Sequence, residues 1–125
     1  MEINHEKATI LANDIQKALD DKKGIDISII SVGRQTVLAD YFVLANGTSS
    51  THIKALTDEV EKQLNEKHGI LPSRVEGISG RNWVLMDYGS VVVHIFTKEA
   101  RDFYKLDRLW AESGISHIKT NEQEA

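Results

Sequence analysis

Asp87, Ser90 and His94 lie close together in the chain and offer an acid, a hydroxyl and an imidazole. A carboxylate beside a histidine makes a general acid–base pair, and a serine within reach would complete a nucleophilic triad. That chemistry also needs a reacting site and a third group, and a turn serine serves turn chemistry first. A second polar run, Gly47-Thr48-Ser49-Ser50, precedes a helical pattern, where backbone N–H groups can hold an anion. It lacks the spaced second glycine and the Gly-Lys-Ser/Thr ending of a P-loop. Redundant capping hydroxyls at a strand-to-helix turn account for the same residues. His5, His52, His68, His94 and His117 include no His-Glu-x-x-His run and no helical i, i+4 pair, so neither a metal nor a cofactor is expected.

The chain that must position these groups has 125 residues, enough for one packed core but not two. With 15 Lys and Arg against 19 Asp and Glu, its formal charge is −4. An acidic chain is a poor match for broad binding to a phosphate backbone and would meet nucleic acid through a local patch, or meet a basic protein instead; no direct sequence-specific nucleic-acid binding is expected. A hydrophobic fraction of 41% marks a globular chain rather than a disordered one. The absence of cysteine excludes disulfides, thiolate zinc sites and Cys nucleophiles. Met1-Glu2-Ile3-Asn4-His5-Glu6 lacks the basic start of a signal peptide, and no run approaches the roughly 20 apolar residues of a membrane helix. The expectation is a soluble, cytoplasmic protein with no membrane partner.

Hydrophobic periodicity divides the chain into seven expected elements in the order α-β-β-α-β-β-α. The first helix runs from about His5 to Lys22. It carries Ala8, Leu11, Ile15 and Ala18 on one stripe, widened by Ile10 and Leu19, with Asn4 as its cap and Lys22-Lys23-Gly24 as its stop. Ile25 to Val32 reads as a strand with one polar-leaning face, followed by a turn at Gly33-Arg34-Gln35. Tyr41-Phe42-Val43-Leu44-Ala45 reads as a central strand buried on both faces. A helix capped by Ser50 or Thr51 then carries Ile53, Leu56, Val60 and Leu64 and ends at Gly69. Trp83 to Tyr88 and Val91 to Phe96 flank Gly89-Ser90, a loop suited to a type II′ hairpin. The last helix, capped by Thr97, runs to about Trp110 with Phe103, Leu106 and Trp110 inward and Arg101, Tyr104 and Arg108 around them. These elements define a single α/β (α+β) domain over residues 1–112, a mixed sheet flanked by helices, with a polar, flexible tail over 113–125.

The hairpin fixes its own register. With Gly89-Ser90 as the loop, Tyr88 opposes Val91, Met86 opposes Val93 and Val84 opposes Ile95, and this apolar face belongs to the core. The other face carries Trp83, Leu85 and Asp87 opposite Phe96, His94 and Val92. Such a mixture of aromatic, aliphatic and charged groups fits a partner surface, where an indole anchors and charges orient. A helix covering this face, with Asp87 and His94 in an internal contact, is the other reading. Arg101 is placed to pair with Asp87.

Several blocks together resemble a known family. Asp40-Tyr41-Phe42-Val43-Leu44-Ala45-Asn46-Gly47-Thr48-Ser49-Ser50-Thr51-His52 is similar to the central motif of the ribosomal silencing factors, also called RsfS or Iojap-like proteins. Val75-Glu76-Gly77 and the stretch Trp83 to Phe96 form a second matching block. Glu99, Arg101, Tyr104, Leu106, Leu109 and Trp110 form a third. The resemblance runs in order from about His5 to Glu112. It implies a nucleotidyltransferase-like fold and binding to the large ribosomal subunit through its ribosomal protein number fourteen. Bound there, the protein would block subunit joining and repress translation under nutrient limitation, and it would be a homodimer when free. Trp83, Leu85, Asp87 and Tyr88 match the family's contact positions, and His94, Arg101 and Tyr104 complete the expected partner-binding set. The nucleotidyltransferase signature also needs an Asp-x-Asp or Asp-x-Glu strand, which is missing here, with Asp87 the lone candidate acid. Without paired carboxylates to clamp Mg²⁺, a binding protein is expected rather than an enzyme, a nucleotide-handling enzyme being the alternative and an unrelated dimeric adaptor a third.

Overall fold

The computed structural model describes residues 2–32, 39–77, 82–104 and 117–119, with side chains for 6–32, 39–77 and 82–101. Helix α1 (Glu2–Asp21) leads into strands β1 (Ile25–Ser31) and β2 (Tyr41–Gly47). Helix α2 (Ser50–His68) follows, then β3 (Arg74–Glu76), β4 (Trp83–Asp87), β5 (Val91–Thr97), α3 (Lys98–Tyr104) and β6 (His117–Lys119). The expected order holds, with the short strands β3 and β6 added to it. The six strands form one mixed sheet in the order β3-β4-β5-β2-β1-β6. Among the described residues only β2 and β5 pair in parallel, and the long connection through α2 makes that pairing possible.

Helices α1 and α2 cover the first face. Ala8, Ala12, Ile15, Ala18 and Leu19 of α1 are buried with Ile53, Leu56, Val60 and Leu64 of α2. They pack on Ile27, Ile29, Val43, Ala45, Val84, Met86, Val93 and Ile95 of the sheet. Alanines on the α1 stripe let that helix lie close to its neighbours, whereas Ile10, expected to widen the stripe, is exposed. Helix α1 already begins at Glu2, so Asn4 lies inside it rather than capping it. At the other end the left-handed residue is Lys23 (φ 66°), not Gly24. The N-cap of α2 is Ser49, one residue before the expected pair. Its hydroxyl accepts the His52 N–H at 3.1 Å, and Gly69 closes the helix by donating to the Asn65 carbonyl.

Strand β1 departs from simple alternation. Asp26 adopts a left-handed φ of 53°, a conformation Asp tolerates better than most residues, and the register with β2 shifts between Ile25 and Ser28. Beyond this bulge Ile27, Ser28, Ile29 and Ile30 are all buried, so neither face of β1 is solvated as expected. In the segment expected as a tail, His117–Lys119 pairs antiparallel with β1. The expected turn at Gly33-Arg34-Gln35 and the helix from Lys105 to Trp110 lie outside the described residues.

Candidate functional site

The β4–β5 hairpin forms in the register its sequence dictates. Val84 pairs with Ile95 and Met86 with Val93 on the helix side, while Trp83, Leu85 and Asp87 pair with Phe96, His94 and Val92 on the other. Among residues 88–91 only Gly89 has positive φ (86°), which makes the Gly89-Ser90 loop type II′ rather than I′, and the Tyr88 N–H donates to the Val91 carbonyl at 2.9 Å. Gly77 braces the far end of β4. At φ 91° its Cα lies so close to Trp83 that a methyl group there would overlap the Trp83 carbonyl, which only glycine avoids.

The second face of the sheet is organised in rows. Phe42 and Val92 are neighbours across β2 and β5, as are Leu44 and His94, and Asn46 and Phe96. Ile30, Val32, Ala39, Leu44 and Phe96 form a buried cluster there, and Phe42, Trp83, Val92 and Ala100 pack partly buried around it. Helix α3, whose Ala100 N–H is capped by the Thr97 hydroxyl at 3.1 Å, covers the Phe96 end. Trp83, Leu85, Asp87, Phe42 and Val92 remain half-buried, neither sealed nor free.

The acid–base pair is not assembled. A cross-strand diagonal spans about 7–8 Å, which an indole bridges and an aspartate does not. The Trp83 Nε1–H therefore reaches His94 Nδ1 at 3.1 Å. Asp87 turns back on its own loop, where one carboxylate oxygen accepts the Gly89 N–H at 2.8 Å and the other lies 3.7 Å from the Arg74 guanidinium. His94 is 5% exposed, and burial pushes its pKa down from 6.5 to about 4. Its ring sits among Phe42, Trp83 and Phe96, with centroids 4.9, 5.8 and 6.3 Å away, and its Nε2 has no hydrogen-bond partner among the described residues.

Arg101 does not pair with Asp87. It is 7% exposed and lies 5.8 Å from the Phe96 ring centroid. Its guanidinium donates to the Asp26 carbonyl at 2.7 Å, Asn46 Oδ1 at 3.0 Å and Ser28 Oγ at 3.3 Å. The β1 bulge aims the Asp26 carbonyl at this cation, so Arg101 clamps α3 to β1 and β2 from within. Tyr88 belongs to the helix side, packed against the first-face core. Its buried hydroxyl has no hydrogen-bond partner among the described residues, and burial, with the Glu61 carboxylate adding, raises its pKa well above the usual 10. Tyr104 ends α3, and its side chain lies outside the described residues.

In the Gly47 to Ser50 turn the Thr48 amide has an internal partner. His52 Nδ1 accepts the Thr48 N–H at 2.9 Å, and the opposite ring nitrogen lies 2.9 Å from the Lys22 carbonyl, tying the start of α2 to the end of α1. Since Nδ1 must accept, Nε2 is the donor to Lys22.

This architecture has been seen before. A crystal structure of a protein from Chromobacterium violaceum superposes with a TM-score of 0.80 at 34% identity, covering 83% of this chain and 86% of that one. The model of the family "Ribosomal silencing factor during starvation" matches residues 5–125. The ribosomal silencing factor RsfS of Bacillus subtilis is 36% identical over 101 residues, 81% of this chain and 85% of its own. The mouse protein named for mitochondrial assembly of the ribosomal large subunit is 35% identical over 89 residues, 68% of this chain and 38% of that protein. The chain belongs to the ribosomal silencing factor family.

Proposed function

We propose that this chain docks through the second face of its sheet onto the large ribosomal subunit, by way of ribosomal protein number fourteen. There it blocks joining of the small subunit and represses translation under nutrient limitation. The observation that carries this reading is the half-buried set Trp83, Leu85, Val92 and Phe42, edged by Asp87, on the face that α1 and α2 leave uncovered. Family membership supports the ribosome as target, and the name of the mouse relative points to the large subunit. A formal charge of −4 suits encounter with a basic ribosomal protein. The output is steric rather than catalytic: a folded chain of this length has a radius of gyration of about 14 Å, enough to occupy a joining surface. The setting is the cytoplasm, and the free protein is a homodimer, which sedimentation equilibrium would test.

The decisive test is co-sedimentation with separated large subunits. Trp83→Glu puts a charge where the partner meets the indole and is expected to abolish binding while the far-ultraviolet circular dichroism spectrum is retained. A folded Trp83→Glu protein that binds large subunits as the unaltered chain does would refute the assignment of the face.

A further inference from the structure

Stability alone does not explain why His94 stands at the centre of the second face. An imidazole buried there carries one N–H that finds no acceptor among the described residues, at a cost that an aliphatic side chain of similar size would avoid. The tautomer follows from geometry. An indole N–H only donates, so His94 must present the lone pair of Nδ1 to Trp83, which leaves the ring proton on Nε2. The orphaned donor is thus the consequence of keeping an acceptor under the indole. Two contacts among the described residues bear on the ring of Trp83. Phe96, with centroids 5.5 Å apart and planes at 41°, sets the plane, and the bond to His94 sets the rotation within it.

We propose that His94 is a positioning residue for docking, its Nδ1 holding the Trp83 indole in the one orientation that the partner receives. This rests on the second face being the docking surface. A side chain already held loses less freedom on binding, so the acceptor favours the complex even though its unpaired N–H weakens the fold. Stability and binding should therefore move in opposite directions on substitution, which a purely structural histidine would not produce.

The experiment compares His94→Leu, His94→Asn and Trp83→Glu in co-sedimentation with large subunits, alongside urea unfolding and NMR of the indole N–H signals. Leu removes the acceptor, while the Asn side-chain oxygen replaces Nδ1. The expected result is that His94→Leu is at least as stable as the unaltered chain, shifts the Trp83 indole signal and binds about tenfold more weakly. His94→Asn is expected to restore the signal and bind within about threefold of the original. Should Trp83→Glu abolish binding while His94→Leu binds normally, or should Asn fail to rescue, the positioning role is overturned and the docking face stands. Normal binding by Trp83→Glu instead removes the docking face itself. Should His94→Leu not fold, the unaltered protein still decides. Long-range ¹H–¹⁵N correlations must place the His94 proton on Nε2, and a proton on Nδ1 overturns the proposal.

Discussion

Acidification should destabilise this protein through His94 in a manner that can be isolated. In the unfolded chain the imidazole binds a proton near its ordinary value of 6.5; in the folded chain burial holds it neutral until about pH 4. The stability that depends on the neutral ring is fully present above pH 6.5 and is lost as pH falls from there toward 4, because the unfolded state alone takes up the proton. The gap between the two values, at about 1.4 kcal/mol per pH unit, gives a total loss of about 3 kcal/mol, of which about 2 kcal/mol falls between pH 7 and pH 5. His94→Asn keeps an acceptor for Trp83 and does not titrate. The carboxylates of Asp87 and Glu76 and the guanidinium groups of Arg74 and Arg101, charged groups described on the same face, are common to both proteins, as is every other charged residue of the chain. Urea unfolding at pH 7 and pH 5, followed by circular dichroism, should show the midpoint of the unaltered chain falling further than that of the variant by about 1 M, for an m-value of about 2 kcal/mol/M. Equal falls in the two proteins would mean that the imidazole is not held neutral by burial, and the reasoning would be refuted.

Tyr88→Phe deletes a buried hydroxyl that has no partner, so it should stabilise the fold by about 1 kcal/mol at neutral pH, read from denaturant midpoints. Because the folded phenol resists ionisation, its share of the stability is present below pH 10 and lost as pH rises beyond it, and the Phe variant should lack that alkaline loss. Arg101→Leu removes the buried donor to the Asp26 carbonyl and to the side-chain oxygens of Asn46 and Ser28, at a cost of about 3 kcal/mol. Thermal unfolding should fall by roughly 10 °C, and a fall within a degree or two would show that the clamp is dispensable.

What was legible in the sequence was what short-range chemistry decides. The two-residue loop at Gly89-Ser90 admits one register, so every pair from Trp83–Phe96 to Asp87–Val92 followed from counting outward. The stripes of α1 and α2 followed likewise from helical period, apart from Ile10. Arg101 was not legible, because its acceptors lie on β1 and β2, distant in sequence, and one of them is a carbonyl turned toward it by a bulge that periodicity does not reveal. Strands β3 and β6 were missed because three residues are too few for alternation to show. The site was half legible. Register placed Asp87 and Trp83 on the two diagonals from His94, and the choice between them fell to side-chain reach and to a rival partner. Asp87 is captured by the turn it helps to build, while the indole is long enough to cross.

That choice bears on function. An Asp87–His94 contact would have left a polar pair beside the indole, whereas the contact observed makes the histidine part of the aromatic cluster and gives the Trp83 indole N–H its acceptor. Arg101 acts in the same sense from the other side, holding α3 over Phe96, the ring against which Trp83 rests. Both residues expected at the surface are therefore buried beneath or beside it. Removing either tests how rigidly Trp83 must be held, and only removing the indole itself tests whether the face is the one that meets the ribosome.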